Sequence, residues 1–118
     1  PGWRQGGSSR LMAALLRNAR AMGDAELFDA NGPQLWTRVR RNFEALLDLW
    51  WQAGALGGNA RSEAFDVRCD RSTMSQNDLD NGRLRVQVTV RPAVAVERIT
   101  VVLDLASGGA SARLREVA

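Results

Sequence analysis

Between Pro33 and Ala53, apolar residues return every three or four positions. At 100° per residue Val39, Phe43, Leu46 and Trp50 fill one stripe, and Leu35, Trp36, Leu47 and Leu49 widen it. Arg38, Arg41, Glu44, Asp48 and Gln52 take the other side, with Trp51 at the edge of the apolar face. This spacing predicts a long amphipathic helix. Pro33 suits its first turn, where a missing N–H costs nothing, and Gly54 suits its end. A shorter helix is predicted over residues 10–22, where Leu11, Leu15, Ala19 and Met22 share a stripe and Arg17 and Arg20 lie off it. Ser8 or Ser9 can cap it and Gly23 can stop it.

After Gly58 the period falls to two. Phe65, Val67 and Cys69 alternate with Asp66, Arg68 and Asp70. Leu84, Val86, Val88 and Val90 alternate with Arg85, Gln87 and Thr89, and Ile99, Val101, Leu103 and Leu105 with Arg98, Thr100, Val102 and Asp104. Alternation over three segments predicts three strands, each with one buried and one wet face. Between the first two, Ser75 followed by Asp78 predicts one capped helical turn, and Asn81-Gly82 a tight turn. Pro92 interrupts the run between the second and third.

Helices first and strands after, on short connections, predict an α+β fold. Two main helices would pack on a small, mostly antiparallel sheet of three to four strands, with an edge available for strand exchange. The expected domain is 10–105, between a flexible lead-in, 1–9, and a flexible tail, 106–118, rich in small residues. Its expected core includes Leu15, Trp36, Val39, Phe43, Leu46, Trp50, Phe65, Val67, Val86 and Val88.

Composition narrows the chemistry. The 118 residues include no histidine, lysine or tyrosine and one cysteine, Cys69; all sixteen basic residues are arginine. A Ser-His-Asp or Cys-His site needs an imidazole, Schiff-base catalysis needs a lysine amine, and most zinc sites need clustered Cys and His. Carboxylate-only catalysis passes this filter. Asp78-Leu79-Asp80-Asn81-Gly82 has the look of part of a calcium loop, but the twelfth position holds Thr89 instead of the bidentate glutamate. Turn chemistry, in which Asp and Asn bond their own backbone, accounts better for Asp78 and Asp80, and Asp66 and Asp70 are expected to pair with Arg68 or with neighbouring strands. Cys69, on the inward face, reads as a small buried apolar residue, whereas Trp3 and Trp51 are candidates for exposure at an interface. The expectation is therefore a protein with no enzymatic activity, and no catalytic, metal-binding or cofactor-binding residue is assigned.

The net charge is +3, with arginines interleaved with thirteen acids and no cluster larger than Arg38, Arg40 and Arg41. A solvated surface is favoured over a nucleic-acid interface. No apolar run approaches the ~20 residues of a membrane span, and the lead-in lacks a signal-peptide core. Cytoplasmic assembly is the expectation.

Several strings, in order, resemble the C-terminal region of contractile tail sheath proteins, the outer cylinder of phage tails and related injection machines. They begin with Leu35-Trp36 and the helix after it, and continue with Leu46 to Leu56, ending in Gly-Ala-Leu. Next comes Glu63-Ala64-Phe65-Asp66-Val67-Arg68-Cys69-Asp70. The most specific string is Thr73-Met74-Ser75-Gln76-Asn77-Asp78-Leu79-Asp80-Asn81-Gly82-Arg83-Leu84, similar to the family's Thr-x-(Thr/Ser)-Gln-x-Asp-(Ile/Leu)-Asp-x-Gly-Arg. Val90-Arg91-Pro92-Ala93 and Val96-Glu97-Arg98-Ile99 complete the series over residues 8–105. The glycine-rich start departs from the family's basic lead-in, and Trp51 and Val102 add apolar surface at edges.

The resemblance implies a structural subunit that polymerises around an inner tube through exchanged strands and contracts by rearranged subunit packing. Its implied partners are other sheath subunits and the inner tube protein, without a membrane and without direct contact to nucleic acid. Its implied location is a virion or phage-tail-like particle assembled in the bacterial cytoplasm. The third strand (Val96, Arg98, Ile99, Val101, Leu103, Leu105) fits a donated arm, because it follows a proline break and no further element is predicted to cover it. Arg17, Arg20, Arg38 and Arg41 are the candidates to face the tube. A baseplate or adaptor domain is the alternative, and a basic nucleic-acid-binding domain a more distant one.

Overall fold

The helix predicted from Pro33 forms with Gly32 as its N-cap and proline in its first turn; it is α2, Pro33–Gln52. In the computed structural model, residues 13–21, 32–93, 98–106 and 109–117 are described. Residues 13–21 are helical and are called α1. Four strands follow: β1 (Phe65–Arg68), β2 (Leu84–Val90), β3 (Ile99–Ala106) and β4 (Gly109–Val117). Short helices α3 (Arg61–Ala64) and α4 (Gln76–Asp80) and a 3₁₀ turn (Arg71–Thr73) lie between. The sheet order is β1-β2-β3-β4 and every pairing is antiparallel, so the fold is α+β.

The buried residues of α2 are Leu35, Val39, Phe43 and Leu47. A strict step of four turns the stripe by roughly 40° each time, so it drifts across the helix. Three expected core positions are accordingly only half-buried: Leu46, and Trp36 and Trp50, which pack against the core cluster. Leu49 points outward and is 63% exposed. The helix ends where predicted. Gly54, at φ +86, lets Gly54 N donate to Trp51 O (3.1 Å) and Ala55 N to Trp50 O (2.9 Å). This left-handed cap satisfies carbonyls that the last turn would otherwise leave bare.

In α1, Leu15 and Ala19 are fully buried, and Asn18 Nδ2 donates to Asn42 Oδ1 on α2 at 2.9 Å. Leu11 and Met22, the predicted ends of the same stripe, lie outside the described residues.

Beyond the cap the chain doubles back. Gly57 N donates to Arg91 O (2.8 Å) and Ala93 N to Ala55 O (3.1 Å), around a bridge between Leu56 and Pro92. Neither bond requires the N–H that Pro92 lacks. This segment carries buried Leu56 over the end of the sheet.

The alternating residues of β1, β2 and β3 close the core as predicted. Phe65 and Val67, then Leu84, Val86, Val88 and Val90, then Ile99, Val101, Leu103 and Leu105 are all buried in one cluster with the helices. β3 departs from one-faced burial, since Thr100 and Val102 on its other side are also only 4% exposed. In the register they stand opposite Thr89 and Gln87 of β2, and Thr89 Oγ1 lies 3.1 Å from Thr100 Oγ1. A central strand gains such cover from both neighbours.

Two expectations fail at the C-terminal end. The tail predicted to be flexible forms β4, which pairs with β3 from Ala106↔Gly109 to Ile99↔Val117, with a bulge between Thr100 and Val101. β3, expected to have nothing beyond it, is therefore an interior strand.

Candidate assembly surfaces

The string from Thr73 to Leu84 folds into a compact clamp on β2. Asp70 starts it, accepting from Ser72 N at 2.8 Å and from the Ser72 hydroxyl. Those bonds, the hydroxyl's first, hold its carboxyl below the usual range. Ser75 then opens α4 with a reciprocal box: Asp78 N donates to Ser75 Oγ (3.1 Å), and Ser75 N donates to Asp78 Oδ2 (2.9 Å). The bond from the Ser75 backbone lowers the Asp78 pKa, against the opposing effect of burial. The predicted turn at Asn81-Gly82 is a second left-handed cap: Gly82 has φ +66, and Arg83 N donates to Asp78 O at 2.8 Å.

Two side chains fasten the clamp to the sheet. The Thr73 hydroxyl donates to Arg85 O at 2.8 Å. The Arg85 guanidinium donates through Nε to Asp104 Oδ1 at 2.7 Å, and its terminal nitrogen lies 3.8 Å from Asp78 Oδ2. The hydrogen bond to Asp104 raises the Arg85 pKa further, helped by both carboxylates. Arg85 thus joins α4, β2 and β3. Sequence reasoning placed Asp78 in a turn but missed this junction, because Arg85↔Asp104 becomes visible only once the strand register is known.

Asp66 and Asp70 do not converge with Asp78 and Asp80. Asp66 lies 3.6 Å from Arg68 with both side chains exposed, and Asp80 accepts from Gln76 Nε2 at 2.9 Å. Among the described residues no group of three or more His, Cys, Asp or Glu is placed to hold a metal ion, and no helix is long and apolar enough to cross a membrane. Cys69 is 5% exposed, and burial, with Asp70 adding to it, pushes its thiol up to about 12. Trp51, expected at an interface, packs half-buried against the core and donates Nε1–H to Gly58 O at 3.2 Å. Trp3 lies outside the described residues.

The sheet has two margins. β1 is short, and α2 packs beside it, leaving a groove of about 390 Å³ between them lined by Trp36, Arg40, Arg68 and Asp70 among others. β4, nine residues long, is the opposite margin, with no strand beyond it among the described residues. Of the predicted donated strand, Ile99, Val101, Leu103 and Leu105 are buried between β2 and β4, Arg98 is exposed before the strand, and Val96 lies outside the described residues. A strand paired on both sides offers no free backbone groups, so the available margin moves to β4.

The four candidate arginines are all exposed: Arg17 and Arg20 on α1, Arg38 and Arg41 on α2. The Asn18–Asn42 bond sets the two helices side by side. Pro33, Gln34, Thr37, Arg38 and Arg41 line a shallow depression of about 550 Å³ at the start of α2.

This is an α+β module whose exposed features are sheet margins and a cationic helix surface. No family model matches the chain, and no curated protein matches it. Among solved structures, the chain is similar to one in the cryo-EM structure of the anti-feeding prophage (AFP) baseplate, 6-fold symmetrised, at 30% sequence identity and a TM-score of 0.61. The match covers 68% of this chain and 23% of that one, so this chain spans less than a quarter of the length of the chain it resembles.

Proposed function

We propose that this chain is a structural module of a contractile, phage-tail-like particle, acting by assembly and without bond-making chemistry of its own. The observation that carries the reading is the 30% identical match to a chain of the anti-feeding prophage baseplate. The finer reading is a sheath subunit module. It is supported by the Thr73–Leu84 string, which folds as one clamp on the sheet, and by the order of the strings that resemble sheath proteins. A baseplate or adaptor component is the second reading, supported by the matched structure being that of a baseplate.

In either role the module joins other subunits of the same particle. Its means is β-augmentation, in which the backbone N–H and C=O groups of a sheet margin pair with a neighbour's strand. β4 is the margin best suited to it. Main-chain pairing keeps neighbours connected while rigid domains shift, which contraction demands. In the sheath reading the arginine-bearing helices face an acidic inner tube, through exposed pairs worth about 0–1 kcal/mol each that act by repetition. Electron microscopy of the full-length protein tests these readings. Hollow striated cylinders are expected of a sheath, and discs or collars without cylinders of a baseplate part. A protein that stays monomeric with its machine's other components present sinks both.

A further inference from the structure

Asparagine precedes glycine twice in the chain, at Asn31-Gly32 and Asn81-Gly82. Asn31 lies outside the described residues, whereas Asn81 is exposed at the end of α4. This dipeptide is prone to deamidation, because a following residue without Cβ leaves its backbone nitrogen open to attack the asparagine side chain. The reaction is intramolecular. The Gly82 nitrogen loses its proton and bonds to Asn81 Cγ, the Cγ–Nδ2 bond breaks, and ammonia leaves behind a cyclic succinimide. Water then opens one of the two ring bonds to that nitrogen, giving aspartate or isoaspartate at position 81. Water is the only co-reactant.

Ring closure requires Gly82 N to swing into line with Asn81 Cβ about the Cα–C bond. The clamp holds it elsewhere. Asn81 sits at φ -100 and ψ 11, in the bridge region, and Gly82 N donates back to Leu79 O at 3.3 Å. The next N–H, that of Arg83, donates to Asp78 O at 2.8 Å. The leaving group is tied as well, since Asn81 Nδ2 donates to Asn77 O at 2.7 Å and to Asn77 Oδ1 at 2.9 Å. Turning Asn81 far enough to react therefore breaks the bonds that end α4. That helix has only five residues, so it can open locally while the sheet stays folded.

We propose that Asn81 is a conditional modification site, at which the closed clamp suppresses deamidation and opening of α4 releases it. Isoaspartate adds a methylene to the backbone between Asp78 O and Arg83 N, and so displaces the bond that leads the chain into β2. Conversion marks subunits whose clamp has been open and disfavours its closing again. The inference does not rest on the assembly reading, and its test needs no particle.

The full-length protein is incubated at mildly alkaline pH, native and in urea, then digested with trypsin. Cleavage after Arg71 and Arg83 yields residues 72–83 as one peptide, in which mass spectrometry follows conversion of asparagine to aspartate or isoaspartate. Conversion at Asn81 is expected to run roughly tenfold or more slower in the native protein than in urea. Asn77, in the same peptide but followed by Asp78, should lag well behind Asn81 in urea. Asp78→Ala, which removes half of the capping box, should raise the native rate at Asn81 roughly tenfold. Ser75→Ala removes the other half and takes its place if Asp78→Ala does not fold. Equal rates in native and unfolded protein overturn the proposal. So does an unfolded chain in which Asn81 stays intact or reacts no faster than Asn77, and so does a folded clamp variant that converts no faster than wild type.

Discussion

Replacing Asp78 with alanine is the sharpest test of the clamp. Asp78 is 5% exposed, accepts from Ser75 N at 2.9 Å and lies 3.8 Å from the Arg85 guanidinium. Losing the carboxylate removes half of the capping box and strands the Ser75 N–H. A lost hydrogen bond to a charged acceptor costs about 1.5–3 kcal/mol. The pairing with Arg85 contributes little, because that guanidinium is 35% exposed and keeps Asp104 at 2.7 Å. The expected loss is roughly 1.5–3 kcal/mol, which in a domain of this size lowers Tm by roughly 6–20 °C. Urea denaturation followed by tryptophan fluorescence reads it, with Asp80→Ala at an exposed position as a control expected within about 0.5 kcal/mol. pH supplies a second arm. The folded-state pKa of Asp78 lies below its ordinary 3.8, so the carboxylate's stabilisation is complete above that value and is lost as pH falls through the folded pKa. The gap between wild type and Asp78→Ala should therefore hold at neutral pH and close under acid. A loss below about 0.5 kcal/mol at neutral pH, or a gap that widens in acid, would refute the account.

Other outcomes follow from the same geometry. Phe43→Ala, which empties a fully buried site, should cost about 3–5 kcal/mol by denaturation. Cys69 should resist thiol reagents in the native protein and react at the unfolded rate in urea, because only burial and Asp70 hold its thiol near 12. Deleting residues 109–118 turns β3 into a margin whose two faces are both apolar or buried, so the truncated chain is expected to oligomerise in light scattering. A monodisperse truncated monomer would count against that.

The sequence made α2 and the first three strands legible because their apolar residues repeat at one clean period. Ser75 and Asp78 were equally readable, since the capping box is local and needs only a spacing of three. What escaped depended on partners far along the chain. The Arg85–Asp104 pair spans nineteen positions and exists only in one register. Trp36, Leu46 and Trp50 were assigned to the core beside Val39 and Phe43 because a helix wheel gives the width of an apolar stripe without fixing its centre; packing kept Val39 and Phe43 and buried Leu35 and Leu47 with them. The same ambiguity hid Leu49. β4 was overlooked for another reason: Ala110, Ala112 and Leu114 alternate with Ser111 and Arg113, but with side chains too small to register as a strand.

The two sheet margins are treated differently, and that asymmetry bears on how the module would join its neighbours. β1 has four residues, carries outward-facing Asp66 and Arg68, and runs beside α2. Shortness, charge and a covering helix are the ordinary means of blunting an edge against strange strands. β4 has nine residues, roughly 30 Å of backbone at strand spacing, and no strand lies beyond it among the described residues. An edge of that length is either an aggregation hazard or a joint. On the proposed reading it is a joint: a neighbour's strand pairing along the outer side of β4 satisfies the backbone N–H and C=O groups left open there, so two subunits link without disturbing the β3–β4 pairing.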